Sequence, residues 1–154
     1  MTIVRAVASF STAALLSLVS ARRAEAQLEI GTWVKTATAS MPELRIKIEA
    51  CCGGGRRLTY LIATGATKTT LTIDTKLDGA EVPVVVDGKP TASTMIIKRL
   101  DAHHATNILK MNGKQYASSV ATLSADGKTL TVVTDNTSGV GGPVAKQTEI
   151  YVKQ

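Results

Sequence analysis

Residues 44–50 alternate apolar and charged side chains without a break: Leu44, Arg45, Ile46, Lys47, Ile48, Glu49, Ala50. A period of two marks a strand with one face in a core. Leu44, Ile46, Ile48 and Ala50 are therefore expected on the buried face. Residues 70–77 repeat the pattern, with Leu71, Ile73 and Leu77 opposite Thr72, Asp74 and Lys76. Shorter runs rich in Val, Ile, Leu and Thr occupy 58–63, 82–86, 94–100, 105–111, 115–123, 130–134 and 147–153. With Thr32–Lys35 at the start they predict about ten strands. After residue 26 no segment sustains the 3.6-residue apolar period of an amphipathic helix. Ala37–Glu43 leaves room for one helical turn, which Pro42 limits.

The breaks between runs carry turn chemistry. Asp78-Gly79, Asp87-Gly88, Asn112-Gly113 and Asp126-Gly127 are dipeptides that tolerate positive φ and favour tight hairpins. Gly139–Pro143 reads as a looser final loop. The expected fold is all-β, an antiparallel up-and-down meander. Ten short strands must hide their edges, and closing the meander into a barrel does so. A two-sheet sandwich satisfies the same strand count.

The N-terminus differs in kind. Arg5 is followed by the apolar stretch Ala6–Val19 and then Ala24-Glu25-Ala26, small residues three and one positions before Gln27. Charge, apolar run and A-x-A site in that order form a secretory signal. The run is shorter than the roughly 20 residues of a membrane-spanning helix. Residues 1–26 are thus expected to be a cleaved signal and 27–154 a single domain, secreted or periplasmic. An uncleaved anchor or a buried helix is the competing reading. Cleavage would remove three arginines and one glutamate, taking the net charge from +6 to +4. The remaining Lys and Arg are interleaved with acids, and the chain has one Trp, one Phe and three Tyr. A nucleic-acid surface needs a basic stripe with stacking aromatics, so none is expected. No integral membrane segment is expected after residue 26.

Few residues suggest chemistry. Cys51-Cys52 precedes Gly53-Gly54-Gly55 between two strands. In an oxidising compartment two cysteines suggest a disulfide. Neighbouring Cα atoms lie closer than usual disulfide geometry, so a vicinal bond, free thiols and bonds to another chain all remain open. His103 and His104, if extended, point to opposite faces and cannot share a metal. No H-x-H, H-E-x-x-H, C-x-x-C or G-x-S-x-G motif occurs. No metal, cofactor or catalytic residue is expected, and the chain is not expected to be an enzyme.

Gly31-Thr32-Trp33 heads the first strand of the meander, and Thr148-Glu149-Ile150-Tyr151-Val152-Lys153 ends the last. The G-x-W start, and an end that matches the T-R-x-Y-x-K pattern of fatty-acid-binding proteins at Thr148, Tyr151 and Lys153, resemble the lipocalin and fatty-acid-binding (calycin) barrels. The turn Asp87-Gly88-Lys89, the segment Ser124–Val132 and the end Tyr151–Gln154 also resemble a group of small bacterial exported proteins with a lipocalin-like domain. The resemblance implies a closed barrel with Trp33 plugging one end. It also implies that the last strand presents ligand-holding side chains inward. Where fatty-acid-binding proteins carry an arginine that clamps the ligand carboxylate, this chain has Glu149. A carboxylate there disfavours a fatty-acid head group, and the site should prefer neutral or cationic ligands, or pair Glu149 with Arg99 or a lysine. If Thr148, Ile150 and Val152 face the core instead, Glu149 and Tyr151 face solvent. The leading functional expectation is an exported binding protein for a small, largely apolar ligand, with Trp33, Tyr60, Arg99, Glu149 and Tyr151 as candidate contacts. A filled barrel acting through its outer surface in an envelope assembly is the second expectation. The size of the interior cavity discriminates between the two.

Overall fold

The computed structural model describes residues 29–35, 43–137 and 146–154. The expected signal at 1–26, residues 37–42 of the expected helical turn and the Gly139–Pro143 loop lie outside the described residues. Ten strands follow in order: β1 (Gly31–Lys35), β2 (Glu43–Cys51), β3 (Gly55–Thr64), β4 (Thr67–Thr75), β5 (Asp78–Val86), β6 (Lys89–Arg99), β7 (His104–Met111), β8 (Lys114–Leu123), β9 (Thr129–Asn136) and β10 (Lys146–Lys153). Each pairs antiparallel with its neighbour in sequence, and β1 pairs with β10, so the sheet closes into an up-and-down barrel. Closure leaves no unpaired edge. The described residues form no sandwich.

Alternation sets which side chains enter. On β2, Ile46 and Ile48 are buried, flanked by the exposed Arg45 and Lys47 and the half-buried Glu49. Ala50, expected on the buried face, is exposed where β2 ends near the barrel rim. On β4 the inward set includes Ile73 and Thr75, whose hydroxyl accepts a hydrogen bond from the Leu77 amide at 3.0 Å. The core gathers Trp33, Ile46, Ile48, Leu58, Ile73, Val84, Met95, Ile97, Leu123 and Tyr151.

Two expected hairpins have the positive φ values their residues favour: Asp87 and Gly88 at 47° and 76°, Asn112 and Gly113 at 51° and 76°. Asp78-Gly79 does not form a turn. The chain reverses at Lys76-Leu77, with Leu77 at φ 60°, and Asp78-Gly79 begins β5 beside a register shift against β6. A bulge consumes the positive-φ residue that would otherwise make a turn. β4 and β5 share only the register pairs Leu71–Val86 and Thr72–Val85. Their upper ends are joined further by Asp87, whose amide donates to the Thr70 carbonyl and whose carboxylate accepts from the Thr70 amide, both at 2.8 Å. At the β2–β3 turn, Cys51 and Cys52 are joined by a disulfide. Gly55 follows at a close crossing: a Cβ there would lie 2.4 Å from the Thr75 carbonyl oxygen, so no larger residue fits without backbone movement.

Candidate functional site

The barrel encloses a cavity of about 470 Å³. Ten strands close a wider ring than the eight that side chains can nearly fill. Its wall is mainly apolar, from Ile46, Ile48, Leu58, Leu71, Ile73, Val84, Met95, Ile97, Leu109 and Val132. Ala105 and Ala121, register partners on β7 and β8, also face it, and their small side chains leave space on that wall.

Two clusters of charged groups meet the cavity, and Thr91, Ser93, Tyr116 and Thr134 add single polar side chains to its lining. The first cluster lies on β10, β1 and β3. The Glu149 carboxylate accepts from Lys35 Nζ at 2.5 Å, from the Tyr151 hydroxyl at 2.9 Å and from Gln147 Nε2 at 3.3 Å. Lys35 and Glu149 keep only 13% and 19% of their side-chain surface exposed. Tyr151 is buried, and burial followed by the Glu149 charge pushes its hydroxyl pKa up. Tyr60, across the barrel seam on β3, lines the same space. Burial first, and the nearby Glu149 charge second, push it up to about 12.

The second cluster sits at the end where β1 begins. The Glu29 carboxylate accepts from Arg56 Nε at 2.8 Å and from Arg99 Nη2. The Glu29 carbonyl accepts from Trp33 Nε1 at 2.9 Å. His103 adds a ring nitrogen 3.2 Å from the Leu123 carbonyl oxygen. His104 is exposed, with Nδ1 2.9 Å from the Asp101 carboxylate oxygens. On the far wall, Asn107 Nδ2 donates to Ser119 Oγ at 3.0 Å.

Tyr60, Arg99, Glu149 and Tyr151 all line the cavity, and Trp33 does not. Trp33 has no exposed surface; its ring packs beneath the cavity, with Lys153 Nζ 5.3 Å from its centroid. Tyr151 and Glu149 point inward, while Ile150 and Val152 are exposed, which resolves the two readings of the last strand. The partner of Glu149 is Lys35; Arg99 is held at the other end by Glu29. The vicinal cysteines are bonded to each other. Cys51, Cys52 and Asp74 lie close enough together to suggest a metal site. The disulfide occupies both sulfurs, however, and Arg57 holds Asp74 through two hydrogen bonds of 2.7 Å.

The sequence reading missed Lys35, Arg56, Asn107 and Glu29. The first three share strand parity with inward residues: Lys35 with Trp33, Arg56 with Leu58 and Tyr60, Asn107 with Ala105 and Leu109. Parity alone could have found them. Glu29 precedes the first strand and gave no periodic signal. Compared with models of known protein families the chain matches none, and no curated protein matches its sequence.

Proposed function

We propose that this protein is an exported, lipocalin-like barrel that binds a small, largely apolar ligand. The observation that carries the reading is the cavity of about 470 Å³, whose wall surface is mainly apolar and is interrupted by polar side chains. Ligand pockets generally fall between roughly 300 and 1,000 Å³ with that composition. A barrel built only as a structural module gains stability by filling its interior, since voids forfeit dispersion contacts. Alanines at 105 and 121 on a wall with room for larger groups favour occupancy by a ligand over that second reading. The cavity-lining carboxylates Glu29 and Glu149 are both held in ion pairs, and Asp101 at the rim is paired with His104. That favours binding over acid–base catalysis.

Export rests on the residue 1–26 pattern, and N-terminal sequencing of the mature protein should begin at or close to Gln27. The binding reading is tested with the neutral fluorophore N-phenyl-1-naphthylamine. Its emission should rise on saturable binding to the wild type. The response should disappear in a variant carrying Ala105→Phe and Ala121→Phe that still melts cooperatively. Equal binding by that variant would place the probe outside the barrel and defeat the proposal. Native mass spectrometry of protein purified from its own host then identifies the ligand.

A further inference from the structure

We propose that the ligand is a neutral molecule with an apolar chain and a carbonyl-type oxygen, and that this oxygen accepts a hydrogen bond from the Tyr60 hydroxyl. The inference rests on the binding reading above and names the ligand class for the same cavity.

The argument starts from satisfied and unsatisfied groups. Glu149 has Lys35 and Gln147 on one oxygen and Tyr151 on the other. Asn107 donates to Ser119. The Tyr60 hydroxyl makes no hydrogen bond among the described residues, yet its ring lines the cavity. No sealed-in side-chain oxygen among the described residues lacks a partner, so this hydroxyl opens onto the cavity, where an acceptor supplied by a ligand can meet it. With its pKa pushed up to about 12, Tyr60 keeps its proton across the physiological range and acts as a donor.

Charge narrows the class. Lys35 and Glu149 form a pair with no net charge, so a charged head group meets no unmatched counter-charge in this half of the cavity. The Glu149 charge also acts on Tyr60 through space. A ligand carboxylate placed against the Tyr60 hydroxyl would feel the same repulsion that disfavours the phenolate. A carbonyl accepts the bond and avoids the repulsion. At the other end, Arg56 and Arg99 share the Glu29 carboxylate. A carboxylate ligand would have to compete with Glu29 there.

The test displaces N-phenyl-1-naphthylamine with 2-undecanone, decane and dodecanoate at pH 8, from the wild type and from Tyr60→Phe. Loss of one neutral hydrogen bond should weaken 2-undecanone about fivefold. Decane should be unaffected, and dodecanoate should bind the wild type at least about tenfold more weakly than the ketone. Unchanged ketone affinity in Tyr60→Phe, or tighter binding of dodecanoate, would overturn the inference and leave the binding reading standing. Failure of every compound and of the fluorophore itself would remove both. A second measurement needs no variant: the ¹³C resonance of carbonyl-labelled 2-undecanone bound to the wild type. It should move from its position in alkane solvent toward its hydrogen-bonded position, and a bound signal at the alkane position would refute the assignment to Tyr60.

Discussion

Removing one member of the Lys35–Glu149 pair should destabilise the barrel far more than removing both. The two groups meet at 2.5 Å with less than a fifth of either side chain exposed. Lys35→Met leaves a carboxylate inside the barrel with only Tyr151 and Gln147 to satisfy it. Glu149→Gln leaves the mostly buried Lys35 ammonium without its carboxylate. An uncompensated charge in such a place costs about 3 kcal/mol or more. The double variant Lys35→Met with Glu149→Gln restores neutrality and keeps an amide that accepts from Tyr151. It should cost about 1 kcal/mol, since replacing a buried pair by neutral groups of similar shape is close to neutral. The coupling between the two sites should then be about 3–5 kcal/mol.

Urea unfolding followed by the emission of Trp33, the single and fully buried tryptophan, gives each of the four stabilities. A coupling within about 0.5 kcal/mol of zero would refute the reasoning, because that is the behaviour of a solvated surface pair. The same variants carry a ligand readout. Glu149→Gln leaves Lys35 as an unmatched positive charge beside a cavity-lining position, so dodecanoate should gain affinity over the wild type. Glutamine suits this test better than arginine at position 149. Arginine at 149 would set two positive charges, its own and that of Lys35, side by side.

Three further outcomes follow from the same geometry. Trp33→Ala should lower stability by about 3–5 kcal/mol, the range for a fully buried large aromatic; an unchanged urea midpoint by circular dichroism would deny the ring its role as the barrel floor. Tyr60 and Tyr151 have raised folded-state pKa values, so their stabilising contribution is complete below the unfolded value near 10 and falls as pH rises above it, for Tyr60 through about 12; ultraviolet titration should show both still protonated at pH 10.5, and full ionisation of all tyrosines there would contradict their burial. Iodoacetamide should label no cysteine before reduction and both Cys51 and Cys52 after it, as read by intact mass; labelling of the unreduced protein would exclude the vicinal bond.

Local pattern was legible and long-range pairing was not. Alternation at 44–50 and 70–77 specified strands and their inner faces, because a period of two translates directly into sheet sides. The dipeptides at 87–88 and 112–113 located hairpins because few other residue pairs hold two consecutive positive φ values. Asp78-Gly79 has the same composition but lies in a bulge, a use of glycine that composition does not distinguish from a turn. The site was half visible. Tyr60, Glu149 and Tyr151 could be named as inward candidates from parity and resemblance. The lysine that neutralises Glu149 lies 114 residues away along the chain, and only closure of the barrel makes the two neighbours. The cavity could not be read at all, because its volume depends on how ten strands tilt and stagger as much as on which residues face inward.

Closure and ligand choice draw on the same side chains. Among the described residues, the seam between β1 and β10 has the register pairs Trp33–Lys153, Val34–Val152 and Lys35–Tyr151, and the Gln154 amide donates to the Thr32 carbonyl at 2.9 Å. Side chains reinforce it. The Lys153 ammonium lies over the Trp33 ring, a cation–π contact between directly opposed residues. Lys35 reaches diagonally along β10 to Glu149, a spacing that long side chains bridge readily. The pair that cancels charge at the cavity wall is therefore also the pair that pins β1 to β10. A variant that gains affinity for anionic ligands by freeing Lys35 should loosen the seam as well, and its stability and selectivity should change together. Tyr60 lies outside that seam, on β3, so Tyr60→Phe can alter ligand choice with closure intact. This separation is why Tyr60→Phe tests the ligand class more cleanly than any substitution at Lys35 or Glu149.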